Sequence, residues 1–195
     1  MIAAIRAAES DRPITERLYF DPFAREFSGD EGDFLAREMA YKGPLPPFPS
    51  LRQIVNVRTK WLDDTASLLV RGGDISQVVT LACGGDSRPY RLDFGDSITS
   101  FQVDLPQVIE YRNEIFKKFD KPKCRIVSLP TDLCDLVSTE KALLEAGFNK
   151  DSKTLWIAEG FFYWIPPLVT RSIVRFVSGM SSNGSAIIGD MLPDG

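Results

Sequence analysis

The chain has 195 residues, 44% of them apolar and 26% charged, and a formal net charge of −4. That length suits one domain, or one domain with a cap, and lets roughly 70% of the extended surface be buried. The negative balance argues against a nucleic-acid binder, and the lack of any histidine removes Ser-His-Asp and Cys-His catalysis and the commonest zinc or iron ligand.

Two textures divide the chain. Residues 1–74 are charged and broken by prolines, and predict an N-terminal helical cap or lid. The opening Met1–Asp11 stretch turns acidic at Glu9 and Asp11 and lacks the apolar run of a signal peptide. Lys42–Pro49 holds four prolines and reads as a loop. Ser50–Val70 reads as one long helix, with Ile54, Val57, Trp61, Leu62, Leu68 and Leu69 apolar, Ser50 as N-cap and Gly72-Gly73 as stop.

Residues 75–195 alternate short apolar runs with amphipathic stretches, the pattern of βαβ units and a mostly parallel sheet with helices on both faces. Strands are predicted at Gln77–Cys83, Ile98–Val103, Cys124–Leu129, Thr154–Ala158 and Ser185–Gly189. Most are near-continuous apolar runs, as strands covered on both faces require. Helices are predicted at Pro106–Phe119, at Thr139–Ala146 with Gly147 as C-cap, and at Pro167–Met180. Cys83, Cys124 and Cys134 are odd in number and lack CxxC spacing. Neither a disulfide framework nor a metal site is expected, and a reducing, cytoplasmic setting is. No apolar run approaches about 18 residues, so no membrane span is expected.

In an open parallel sheet the ligand sits beyond the carboxyl ends of the strands. A carboxylate follows every predicted strand: Asp86, Asp104, Asp132, Glu159 and Asp190. Turn preference explains any one of them, but five at one rim suggest a cationic ligand. The first turn, Ala82-Cys83-Gly84-Gly85-Asp86-Ser87, is not GxGxxG and makes a poor phosphate cradle. Asp104 lies 20 residues after Gly84, the offset that places a carboxylate on ribose hydroxyls, although it also suits a helix N-cap before Pro106. A glycine turn with a ribose-type acid points to an adenosyl ligand. The sulfonium of S-adenosylmethionine also meets the acidic rim, with NAD(P) as the weaker alternative.

Three blocks carry a family resemblance. Val79–Leu92 (VTLACGGDSRPYRL) resembles the LGAGxDTRxxRL signature of the leucine carboxyl methyltransferase family, which includes bacterial and polyketide-type O-methyltransferases. Phe101–Glu110 (FQVDLPQVIE) resembles its second block, and Trp156–Pro166 (WIAEGFFYWIP) its AEGxxxYL-P block. Arg12-Pro13, Asp21–Arg25 and Arg58–Asp64 match as well, in family order along nearly the whole chain.

The resemblance implies a Rossmann-like class I methyltransferase fold that uses S-adenosylmethionine. The cap would span 1–74 and the cofactor-binding core 75–195. By the same resemblance Arg58 would bind the methionine carboxylate, Gly84 would pack against the methionine part and Asp104 would hold the ribose. Asp132 and Leu133 would lie beside the adenine, and Glu159 would face the methionyl end. Family members usually continue for two further strands. The core is therefore expected to be C-terminally incomplete, with an exposed fifth-strand edge open to an oligomer or another partner.

Methyl transfer from a sulfonium is an in-line displacement that chiefly needs alignment. A carboxylate acceptor needs no base, whereas a hydroxyl wants one and histidine is absent. The expected acceptor is therefore a carboxyl or acidic hydroxyl of a small molecule or of a protein C-terminus, with no general base assigned. Phe161–Trp164 reads as packing after the fourth strand, with an acceptor contact for Tyr163 as the sharper reading. Arg17, Asp21 and Arg25 read as surface helix pairs, or as a lid over the acceptor. Cys83 reads as a packing residue. A non-catalytic cofactor- or partner-binding module is the alternative outside enzymology, and an NAD(P)-dependent oxidoreductase the alternative within it.

Overall fold

A computed structural model describes the backbone of residues 1–41 and 49–191 and the side chains of 1–35 and 49–191. The expected proline-rich loop Lys42–Pro49 lies outside the described residues apart from its last one. Five strands form one all-parallel sheet: β1 (Gln77–Leu81), β2 (Thr99–Asp104), β3 (Arg125–Pro130), β4 (Thr154–Ala158) and β5 (Ala186–Gly189). Their order is β3-β2-β1-β4-β5, so the connections reverse direction between β1 and β4. Each strand falls within a residue or two of its expectation.

Alternation along the strands sorts the core into two layers. Val79, Leu81, Phe101, Val103 and Trp156 face one side, where α6 (Leu136–Glu145) and α7 (Pro167–Gly179) add Leu143, Ile173 and Val177. Val78, Leu155, Ile157 and Ile188 face the other, covered by Leu62, Ala66 and Val70 of α3 (Leu51–Arg71). The same face carries α5 (Pro106–Phe116), whose Arg112 donates to Gln102 of β2 at 3.1 Å. Helices thus cover both faces, as expected of a Rossmann-like architecture. The expectation of apolar cover holds for β1 and β4, which are buried along their whole lengths. It fails at the margins, because β3 and β5 are edge strands and Ile187 is half-exposed.

Helix ends follow their local chemistry. The Ser50 hydroxyl accepts from Gln53 N–H at 3.3 Å while the Gln53 side chain accepts from Ser50 N–H at 2.8 Å, a complete capping box. Asp135 starts α6 by accepting from Ser138 N–H at 3.0 Å, one turn before the expected start. Two helices lie within the span expected to be helical cap, for which the sequence sets no helix bounds: α1 (Ile2–Ser10) and α2 (Ala24–Tyr41), the latter kinked at Gly29 where φ is +56°. A single turn, α4 (Arg88–Arg91), follows the first strand–helix turn. Among the described residues no helix is long and apolar enough to cross a membrane.

Candidate functional site

The carboxyl ends of the strands meet on one rim. After β1 the chain turns sharply, with Ala82 at φ +51° and Gly84 at φ +45°. Ala82 stands where the family signature has its first glycine. It has a left-handed backbone and bears the roughly 1–2 kcal/mol cost of a Cβ in that region. Gly84 N–H donates to Asp104 Oδ2 at 2.7 Å, and Leu105 N–H donates to Asp104 Oδ1 at 2.8 Å. Asp104 therefore does not cap α5, whose N-cap is Leu105. Its carboxylate instead ties the glycine turn to the start of that helix, and each oxygen retains acceptor capacity for a hydroxyl. Buried Arg112 supports the turn from below, donating to Gly84 O at 3.1 Å and Asp86 O at 2.9 Å.

From this turn across the β1–β4 reversal, guanidinium groups bind Asp86, Glu159 and Asp190. Arg88, 1% exposed, donates to Asp63 at 2.8 Å, Asp86 at 3.0 Å and Glu159 at 2.6 Å. Arg91 closes on the same Asp63 at 2.7 Å. Arg58, from α3, places both Nε and Nη2 at 3.1 Å from Glu159 Oε1, and Nη1 at 2.9 Å from Asp190 Oδ2. Burial would raise the Glu159 pKa, but Arg88, Arg58 and Arg6 outweigh it and hold the carboxyl at about 2. Gly160 N–H donates to Asp190 Oδ1 at 2.6 Å. Only glycine suits position 160: φ is +64°, and a Cβ there would lie 3.2 Å from Arg58 Nη1. Partial burial and the adjoining Asp190 carboxylate push the Tyr163 hydroxyl up.

These contacts join Arg58, Glu159, Gly84 and Asp104 into one continuous network through Arg88, Asp86 and Arg112. Tyr163 stands beside it at Asp190. Asp132 lies in the turn after β3, exposed, with Oδ1 accepting from Cys134 N–H at 2.8 Å. Leu133 is a buried member of the core layer beside α6. Arg17 is elsewhere engaged, stacked 4.3 Å over the Phe20 ring. Cys83 is buried, and burial pushes its thiol up to about 12, which suits a packing residue.

Two expectations need correcting. Arg17, Asp21 and Arg25 do not form surface helix pairs: Asp21 is buried 3.2 Å from Arg6, and Arg25 binds Asp33 at 2.6 Å and Asp11. Residues 11–23 are turns rather than helix, so i,i+4 spacing gives them no common face. Nor is the acidic rim an uncompensated negative field. Asp86, Glu159 and Asp190 are each ion-paired to arginine, and Asp104 is satisfied by backbone N–H groups. Sequence reasoning missed Arg88, Arg91, Arg112 and Asp63 as partners. The available signal was electrostatic: carboxylates gathered at one rim need nearby cations, and two arginines stand in the same block as Asp86.

A five-stranded parallel sheet that reverses at β1–β4, with a glycine turn tied to a carboxylate on one side of the reversal, defines a protein of the Rossmann-like class. The family model for leucine carboxyl methyltransferase matches residues 1–178, and the chain belongs to that family. A protein of Mycolicibacterium paratuberculosis (strain ATCC BAA-968 / K-10) is 32% identical over 203 residues, covering all of this chain and 64% of the relative. One of Mycobacterium marinum (strain ATCC BAA-535 / M) is 31% identical over 208 residues, covering all of this chain and 65% of the relative. Both are provisionally named S-adenosyl-L-methionine-dependent methyltransferases. The chain thus spans just under two thirds of the length of these relatives.

Proposed function

We propose that this chain binds S-adenosylmethionine and serves the methylation of a carboxyl or acidic hydroxyl group, on a small molecule or a protein C-terminus. The observation that carries the reading is the 2.7 Å bond between Gly84 and Asp104 beside the β1–β4 reversal, in one network with Arg58 and Glu159. The donor set suits the group. Asp104 is half-buried with acceptor capacity left for ribose hydroxyls, and Arg58 offers a guanidinium to a carboxylate. Asp132 and Leu133 stand at the end of β3, next to β2 in the sheet, a position that supports their assignment to the adenine side. The bound cofactor would supply an activated methyl group on a sulfonium.

The protein's own task is to hold and align. Glu159, kept at about 2, is a weak base, and Tyr163, raised above its ordinary value, stays protonated at neutral pH. Both favour an acceptor that arrives already ionised, as a carboxylate does. Tyr163, at Asp190, is the side chain we assign to contact with the acceptor.

Calorimetry with S-adenosylhomocysteine tests the reading. Arg58→Ala and Asp104→Ala should each weaken binding by about 1.5–3 kcal/mol, the worth of a hydrogen bond to a charged group. Failure of the folded wild-type protein to bind at concentrations up to about a millimolar, a threshold of roughly 4 kcal/mol, overturns it. Titration with a nicotinamide dinucleotide checks the oxidoreductase alternative directly.

A further inference from the structure

Building on the cofactor reading above, we propose that Asp190 receives the α-ammonium group of the cofactor's amino-acid end. In this proposal the Arg58–Asp190 ion pair is exchanged on binding for the two opposite charges of that end. Arg58 and Asp190 are in contact at 2.9 Å, with side chains 13% and 16% exposed. They are sheltered, yet open enough for a ligand to reach.

Arg58 does not depend on Asp190 for its position. Its Nε and Nη2 both hold Glu159 Oε1 at 3.1 Å, and Glu159 Oε2 is anchored in turn by Arg88 at 2.6 Å. The guanidinium can therefore give up its Nη1 contact to an arriving carboxylate without leaving the site. Asp190 is pinned differently. Its Oδ1 accepts from Gly160 N–H at 2.6 Å, which keeps the carboxylate at the rim when Oδ2 loses Arg58. A sheltered carboxylate stripped of its cation is costly.

An amino-acid zwitterion removes that cost, because its carboxylate takes Arg58 and its ammonium replaces Arg58 on Asp190. The exchange is charge-neutral: along the ion-pair chain from Asp63 to Asp190, three arginines (58, 88 and 91) face four carboxylates (63, 86, 159 and 190), and one ammonium with one carboxylate leaves that balance unchanged.

The test is calorimetry on wild type and Asp190→Asn with three probes: S-adenosylhomocysteine, its desamino analogue, which keeps only the carboxylate, and 5′-methylthioadenosine, which has neither charge. Asparagine preserves the acceptor for Gly160 N–H. The substitution should weaken S-adenosylhomocysteine about ten- to a hundredfold. It should leave methylthioadenosine within about twofold and bind the desamino analogue no more weakly than wild type does. Asp190→Ser should rank the probes in the same order, and serves if the asparagine variant does not fold. Unchanged or tighter binding of S-adenosylhomocysteine by the variant overturns the proposal, as does an equal loss for all three probes, which would make Asp190 structural. Wild-type protein that binds none of the probes removes the cofactor reading itself, a result distinct from either.

Discussion

The middle of the sheet and its carboxyl-end rim are held by different forces. Around β1 and β4 the interior is apolar on both faces, and Leu155, Trp156 and Ile157 are wholly buried by α3 on one side and α7 on the other. A few ångströms along the same strands the interior becomes ionic. Arg88 is buried as deeply as Leu155, but three carboxylates satisfy it. Apolar burial is non-directional and tolerates small shifts. A buried guanidinium is stable only while each partner is in place. Both regions are therefore costly to disrupt, and only the rim also fixes the geometry of a candidate binding site.

The largest expected effect sets one region against the other. Arg88→Met leaves Asp63, Asp86 and Glu159 short of a cation in a buried site and should cost about 3–5 kcal/mol. Leu155→Ala opens a cavity in the other region and should cost about 2–5 kcal/mol. Urea unfolding measured across pH separates the causes. The Arg88→Met deficit should shrink as the pH falls and the stranded carboxylates take up protons, whereas the Leu155→Ala deficit should persist. Equal pH behaviour of the two variants would mean that the rim is not held by charge.

A smaller effect is expected in the wild-type protein. The Glu159 carboxyl lies at about 2 in the fold against an ordinary 4.5. The stability it contributes is fully present above about pH 4.5 and is lost as the pH falls towards 2. Thermal melts between pH 6 and pH 2, at about 0.1 M salt, should show a decline steepest below pH 4.5 that is much reduced in Glu159→Gln. The smallest effect concerns an ion pair with no buried partner. Lys60 meets Asp64 across one turn of α3 at 2.5 Å, with side chains 40% and 62% exposed. Lys60→Ala should change unfolding free energy by less than about 0.5 kcal/mol. A loss as large as that of Arg88→Met would remove the distinction between sheltered and solvated pairs.

Much of the fold was legible in local chemistry. The β-branched runs ending at glycine, proline or aspartate marked all five strands, and Ser50 marked the start of α3, whose second capping partner, Gln53, came from the structure. The turn at Gly84 and the acid at 104 were legible by offset, and the structure brings them into direct contact. α2 was not legible. Gly29 and Gly32 interrupt it, and Phe34 and Leu35 are exposed, so its apolar residues make no clean stripe. Arg88 and Arg112 were missed for a related reason: periodicity treats arginine as a solvent-facing residue, and both are about 1% exposed. Leu133, matched to the family's adenine side by its place in the chain, proves to be a core side chain as well.

What the amino-acid order determined by itself was the βαβ alternation, the loop chemistry at each strand end and the family these blocks define, because turns, caps and strand periodicity act over a few residues. Tertiary structure decided which charge faces which. Arg58 reaches Asp190 across 132 residues of chain and Arg88 reaches Glu159 across 71. Such pairings depend on where the sheet reverses and which helix lies over that point, a long-range choice for which local spacing holds no signal. The acidic residues pointed to a site, and their folded partners turned most of it from a bare negative field into an ion-paired frame.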